Sequence, residues 1–157
     1  MATALEYYAL LHQLDCRERY HAVTSDDGLV VKASLLPNAG LGLFATKTFY
    51  EGDIVCVYTG HVLPTADALK VPDKSYLMRL GGGVYIDARE RFDVKARYVN
   101  DCRSRGVHNV KFDKVPDRKH ALVRATRTIS TGDEVYVDYG TWYWLAYNLS
   151  NPDHPIK

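Results

Sequence analysis

The chain has 157 residues, 46% of them hydrophobic and 25% charged, which suffices for one domain with its own core and no disulfide staples. Lys and Arg number 20 against 19 Asp and Glu, and the resulting formal charge of +1 excludes a global polyanion-binding signature. The three cysteines, Cys16, Cys56 and Cys102, form no Cys-x-x-Cys pair, which argues against a structural zinc site and suits a reducing compartment.

Residues 2–23 carry Leu5, Tyr8, Leu11, Leu14 and Cys16 on one stripe of helical spacing, which predicts an N-terminal helix packed across the domain. These first residues lack the charged-then-apolar pattern of a signal peptide, and the chain has no run long and apolar enough to span a bilayer. An intracellular protein without membrane contact is expected. Ser25-Asp26-Asp27-Gly28 reads as a turn into a strand over residues 29–33, so residues 1–28 form an N-terminal helix and flank. Gly40-Leu41-Gly42 follows, and its paired glycines permit close backbone approach or positive φ. Neither Gly-x-Gly-x-x-Gly nor Gly-Lys-Thr/Ser occurs, which disfavours a phosphate-cradling loop.

Glu51-Gly52-Asp53 turns into the apolar run Ile54 to Tyr58, expected to be a strand buried on both faces. From Pro64 to Lys74 the composition is polar and predicts a variable connection. Residues 75–80 and 84–87 read as a hairpin about Gly81-Gly82-Gly83. Residues 87–99 read as an internal helix with Phe92, Ala96 and Val99 on one face, and residues 109–112 and 121–125 as strands. Many short strands and few helices predict an α+β domain that is mainly β.

Gly132-Asp133 opens one more strand, through Val135, Tyr136, Val137 and Tyr139 to Gly140, followed by Trp142, Tyr143 and Trp144. Large rings with polar tips at a strand end serve either as a hydrophobic plug or as a wall around a ligand. The chain holds 12 Tyr and only 4 Phe; Phe would serve packing without a hydroxyl to satisfy, so several phenols have polar work to do. Residues 89–127 hold twelve basic side chains against five acidic ones, a span that either faces an acidic partner or forms a solvated mixed-charge surface.

Taken in order, these pieces resemble the SET-domain family of protein-lysine methyltransferases over residues 29–145, with 146–157 as a C-terminal flank. Gly40 to Ala45 resembles the family's N-terminal Gly-x-Gly segment, and Tyr58-Thr59-Gly60 its Tyr-x-Gly. Tyr76-Leu77 and Tyr85-Ile86-Asp87-Ala88 are similar to its central hairpin, and Arg97-Tyr98-Val99-Asn100 to the Arg-Phe-x-Asn before its His-Ser. Gly132-Asp133-Glu134 with Asp138-Tyr139-Gly140, then Tyr143-Trp144, resembles its C-terminal motif and the aromatic pair after it.

The resemblance implies small β-sheets around a pseudoknot that brings the Asn100 segment against the strand to Tyr139. It implies S-adenosylmethionine on one face, held at Leu41, Gly42, Tyr76, Arg97, Asn100 and Asp101, and a substrate lysine entering a narrow channel from the other. Tyr139 is then the catalytic-site tyrosine, assisted by Tyr58, with Val137, Trp142, Tyr143 and Trp144 against the substrate and no metal. By the same analogy the substrate is a histone tail or another protein lysine and the compartment is the nucleus; a nucleosome contact would instead rest on the charge of the basic span.

The residue types suit this chemistry. Methyl transfer to an amine is an in-line displacement that needs alignment and a neutral nucleophile, and an apolar aromatic channel lowers the pKa of an entering lysine. Three departures qualify the match. Asp101 and Cys102 stand where the family commonly has His and Ser, and a buried carboxylate there needs donors, for which Arg103, Arg105 and His108 are candidates. No cysteine follows Tyr139, so the zinc-binding segment of many relatives is absent and the C-terminal aromatics must complete the channel. Val137 replaces the Phe or Tyr of relatives, which leaves room for more than one methyl. The rival reading is a catalytically inactive SET-like module that binds peptide or nucleosome.

Overall fold

The computed structural model describes residues 27–104 and 106–153. The expected N-terminal helix lies outside the described residues. Among the described residues eight short strands, all paired antiparallel, form three small sheets. β1 (Leu29–Ala33) pairs with β2 (Leu41–Ala45). β3 (Ile54–Tyr58), β7 (Val110–Val115) and β8 (His120–Ala125) form a second sheet in the order β3-β8-β7. β4 (His61–Pro64), β5 (Leu77–Gly81) and β6 (Val84–Asp87) form a third in the order β4-β6-β5. The mainly-β α+β class read from the sequence is what the chain adopts.

All five residues of β3 are buried, as its unbroken apolar run demands. Leu43, Ile86, Val99, Val123, Ile129, Val135 and Val137 join the core that the three sheets enclose. The hairpin turns on Gly81-Gly82-Gly83, each with positive φ. Among the described residues two α-helical pieces were not read from the sequence: α1 (Thr65–Ala68), inside the polar connection, and α2 (Thr141–Ser150), which holds the C-terminal aromatics; nor was the 3₁₀ turn Pro116–Arg118. The boundary expected after residue 145 therefore falls inside α2.

The helix expected over residues 87–99 does not form. Its place is taken by successive tight turns, with Arg91 N–H on Ala88 O, Val94 on Arg91, Arg97 on Val94 and Val99 on Ala96, and a 3₁₀ helix only at Lys95–Tyr98. The Arg97 guanidinium occupies the carbonyls of Ala88 and Arg89, which an α-helix would have offered to amides further on, and Phe92 lies 69% exposed. Tertiary bonding overrides the apolar spacing here.

The strand expected through Tyr139 is extended but belongs to no sheet. It bonds on both sides to separate segments instead: Val135 N–H to Leu43 O at 2.8 Å, Val137 N–H to Asn100 O at 3.0 Å, and the amides of Asn109 and Val110 to Tyr136 O. Asn100 and Tyr136 form a parallel bridge. This crossing draws residues distant in sequence into one place.

Candidate active site

Gly42 is where the crossing is tightest. A Cβ there would overlap the Glu134 carboxylate, so only glycine lets β2 lie against it. Glu134 is buried and fully used: Oε1 accepts from Ser34 Oγ at 2.6 Å, and Oε2 accepts from Leu35 N–H at 2.8 Å and Tyr136 Oη at 2.7 Å. Asn100 Nδ2 donates to Leu41 O at 3.0 Å and to Glu134 Oε1 at 3.4 Å, so Leu41, Gly42 and Asn100 are brought together around one acid.

The phenols lie beyond this clasp. Tyr139 Oη donates to Val99 O at 2.7 Å, and Tyr58 Oη donates to Tyr76 O at 2.7 Å. Burial pushes both phenols well above the ordinary tyrosine range, and each also feels neighbouring groups, Tyr143 and Tyr58 at Tyr139, and Asp87 at Tyr58. Both therefore stay protonated at neutral pH and act as hydrogen-bond donors, not as bases. The Tyr143 phenol is raised by burial as well, while a hydrogen bond with Ser75 eases it back. Tyr143 and Trp144 stand against the Tyr139 ring with centroids at 4.5 and 6.0 Å. Trp142 is apart from this group, 85% exposed on the outer face of α2. Val137 is fully buried in the main core.

Arg97 lies over the Tyr76 ring at 4.3 Å and also faces the rings of Phe92 and Tyr98. With two backbone carbonyls as acceptors, it holds the Tyr76 side of the site in shape. Asp101 is buried and takes donors on both oxygens: Arg103 N–H at 2.6 Å and His108 Nε2 at 2.8 Å on Oδ1, Tyr139 N–H at 3.0 Å and Trp144 Nε1 at 2.8 Å on Oδ2. Burial pushes its carboxyl up, but the bonds from Tyr139, Trp144, Arg103 and His108 outweigh this and hold it below the usual carboxylate range. Both carboxylate oxygens of Asp101 are thus engaged within the protein, each by two donors. The carboxylate is spent on the protein because an acceptor-only group collects the buried donors around it, and a cofactor contact at Asp101 would be one of its main chain. Among the described residues no group of three or more His, Cys, Asp or Glu is arranged to hold a metal ion.

The SET-domain family model matches residues 40–140, the span that contains every group just described except the C-terminal aromatics and Ser34 and Leu35. The chain belongs to the SET-domain family. It is 29% identical over 126 residues to the N-lysine methyltransferase KMT5A-A of Danio rerio, an alignment covering 73% of this chain and 36% of that protein. The protein of the same name from Xenopus laevis is 28% identical over 122 residues, with coverage of 70% and 36%. A histone-lysine N-methyltransferase, H3 lysine-4 specific, of Cryptococcus neoformans is 28% identical over 109 residues, 64% of this chain and 7% of that one. This chain thus spans about a third (36%) of the length of the KMT5A-A relatives.

The chemistry around the residues assigned to the cofactor by resemblance is one of acceptors and ring faces, which suits a cationic sulfonium nucleoside. Gly40 has φ of 72° and open space where a side chain would stand, Leu41 is half exposed, and the nearby oxygens and ring faces at Val99, Tyr58, Tyr76 and Tyr139 suit a cation. Sequence reasoning missed Glu134 and Ser34 as the clasp, and Trp144 and Tyr139 as donors to Asp101. A Gly opposite an acid some ninety positions away carries no local signal. His108 and the Arg103 main chain are among the donors that a buried Asp101 calls for.

Proposed function

We propose that this SET domain is an S-adenosylmethionine-dependent protein-lysine N-methyltransferase, with histone tails as substrate class and the nucleus as its compartment. The observation that carries the reading is the convergence of Tyr58, Tyr76, Tyr139 and Tyr143 beside the Asn100–Leu41 contact, with both expected catalytic hydroxyls turned inward onto carbonyls. When bound at Leu41, Gly42, Tyr76, Arg97 and Asn100, S-adenosylmethionine supplies an electrophilic methyl on a sulfonium. Everything else is work for the chain's own groups. The ring faces of Tyr139, Tyr143 and Trp144 attract a cationic lysine and strip its water, which lowers the amine pKa and yields the neutral nucleophile. Tyr58 and Tyr139, their own protons committed to carbonyls, offer oxygen lone pairs that align the amine and accept weak contacts from a polarised methyl.

Val137, smaller than the Phe or Tyr of relatives, leaves volume for more than one methyl, and mass spectrometry showing only mono-methylated product on a good peptide would count against this. The basic span supports a nucleosome contact less well. Lys95 pairs with Asp27, Arg89 with Asp73, Arg91 with Asp93, and Lys111 and Arg124 with Asp113, while Arg127 donates to backbone carbonyls. Much of that charge is compensated locally, as on a mixed-charge surface.

The test is incubation with labelled S-adenosylmethionine and histones, with calorimetry on S-adenosylhomocysteine alongside. Label on lysine together with cofactor binding supports the enzyme. Peptide binding with no cofactor binding identifies an inactive module.

A further inference from the structure

We infer that Asp101 is a positioning residue, whose carboxylate ties the Tyr139 main chain and the Trp144 indole to the loop after Asn100 and so sets the shape of the aromatic wall. The inference rests on the methyltransferase reading for its consequence but not for its geometry. The Asp101 side chain is 1% exposed, and its four partners come from three places in the chain. Oδ1 gathers the local loop through Arg103 N–H and His108. Oδ2 reaches 38 residues on to the Tyr139 amide and 43 on to the Trp144 indole.

The loop returns the contact. Arg103 takes positive φ, 57°, as its amide turns onto Oδ1, and its guanidinium lies 4.9 Å over the Trp144 ring. The indole is thereby held at its N–H by Asp101 and over its face by Arg103, two residues further on.

Only a carboxylate meets these demands. Its two oxygens accept from three fixed N–H groups and from His108, whereas an amide would turn a donor toward one of the donor pairs. Histidine, common at this position in the family, offers one acceptor nitrogen at most. The departure from the family pattern at position 101 is thus matched by an indole N–H at position 144 and a main-chain amide at 139 that both donate to the acid.

The consequence falls on the aromatic wall and not on the cofactor clasp, which is made by Asn100, Leu41 and Glu134. Loss of the carboxylate frees Trp144 and loosens the Tyr139 backbone, so kcat falls while cofactor affinity holds.

The experiment compares wild type, Asp101→Asn, Trp144→Phe and the double variant in hydrogen exchange of the indole N–H groups by NMR, in kcat and KM for a histone peptide, and in affinity for S-adenosylhomocysteine. In wild type the Trp144 indole should exchange at least about a hundredfold more slowly than that of exposed Trp142, and Asp101→Asn should bring the two within a few-fold. Each single substitution should lower kcat about tenfold or more, with S-adenosylhomocysteine affinity within about threefold, and the double variant should be no worse than Asp101→Asn alone. Persistent slow exchange in Asp101→Asn, or losses that multiply in the double variant, would overturn the inference. If Asp101→Asn does not fold, Trp144→Phe decides, because it keeps a ring and removes one donor; wild-type kcat there overturns the inference. If wild type transfers no methyl at all, the methyltransferase reading fails, yet the indole exchange still tests the positioning.

Discussion

Tyr139 and Val99 are joined by a 2.7 Å hydrogen bond in which the phenol donates to the carbonyl, 40 residues apart in the chain and one residue before Asn100. The bond fixes the ring's direction and commits the hydroxyl proton, so that the oxygen can act only as an acceptor toward anything else. Replacing Tyr139 by Phe keeps the ring and its contacts with Tyr143 and Trp144 but removes both functions of the oxygen. Methyl transfer to a histone peptide should fall by roughly 10²-fold in kcat, with a stability loss of only about 1 kcal/mol in thermal denaturation. Unchanged transfer by Tyr139→Phe would remove the hydroxyl from the chemistry.

The direction of the tyrosine shifts fixes a pH profile. Burial keeps the Tyr58 and Tyr139 phenols protonated far into the alkaline range, so neither supplies a limb to the rate curve near neutrality. The group that must lose a proton is the substrate amine. The rate at subsaturating peptide should rise with pH between roughly 6 and 9 along a single ionisation and show no fall from tyrosine below about pH 10. A bell centred near neutrality would mean that a side chain acts as base, contrary to this assignment.

Gly42 offers a sharper structural test. Its missing Cβ is the space filled by the Glu134 carboxylate, and Glu134 is itself held by Ser34, Leu35 and Tyr136, so the side chain has little freedom to yield. Gly42→Ala should displace the clasp, cost about 1 to 3 kcal/mol, and lower the melting temperature by several degrees for a domain of this size. Affinity for S-adenosylhomocysteine should fall with it, because Asn100 loses its Glu134 contact and its register on Leu41. A variant with wild-type melting temperature and affinity would refute this account of the glycine.

Short strands were legible because their signals are local. The all-apolar run of β3 and the three glycines that end β5 and lead into β6 each settle their own structure. The 87–99 segment was misleading because Phe92, Ala96 and Val99 have helical spacing, while the decisive interaction, the Arg97 guanidinium on two earlier carbonyls, is invisible to periodicity. The last aromatics failed in the other direction. Gly140, at φ of 84°, redirects the chain into α2, whose rings point several ways and show no clean apolar stripe. Motifs named most of the residues at the site, but only the fold shows which of them touch. Tyr143 and Trp144 stand at Tyr139, whereas Trp142, between Thr141 and Tyr143, faces away from them.

Acid stability follows from three carboxyls with depressed pKa values and one with a raised value. The bond from Ser75 lowers Asp73; at Asp113 and Asp101 burial works upward but is outweighed, by Arg124 and Lys111 at the first and by the Tyr139, Trp144, Arg103 and His108 bonds at the second. A depressed carboxyl means that the unfolded chain binds more protons, so the stabilisation is complete above the unfolded value near 3.9 and drains away as pH drops through the lower folded value. Asp27 has the opposite sign, since burial raises it despite Lys95, and folding gains from its protonation as the medium turns acid. Melting temperature should therefore decline below about pH 4, with Asp101→Asn flattening the decline because its linkage is gone and Asp27→Asn steepening it because the opposing contribution is removed. Thermal scans at closely spaced pH between roughly 2 and 6 distinguish the two. If Asp101→Asn left the acid slope as steep as in wild type, its carboxylate would not be the hydrogen-bonded anion that joins Tyr139 and Trp144 to the loop.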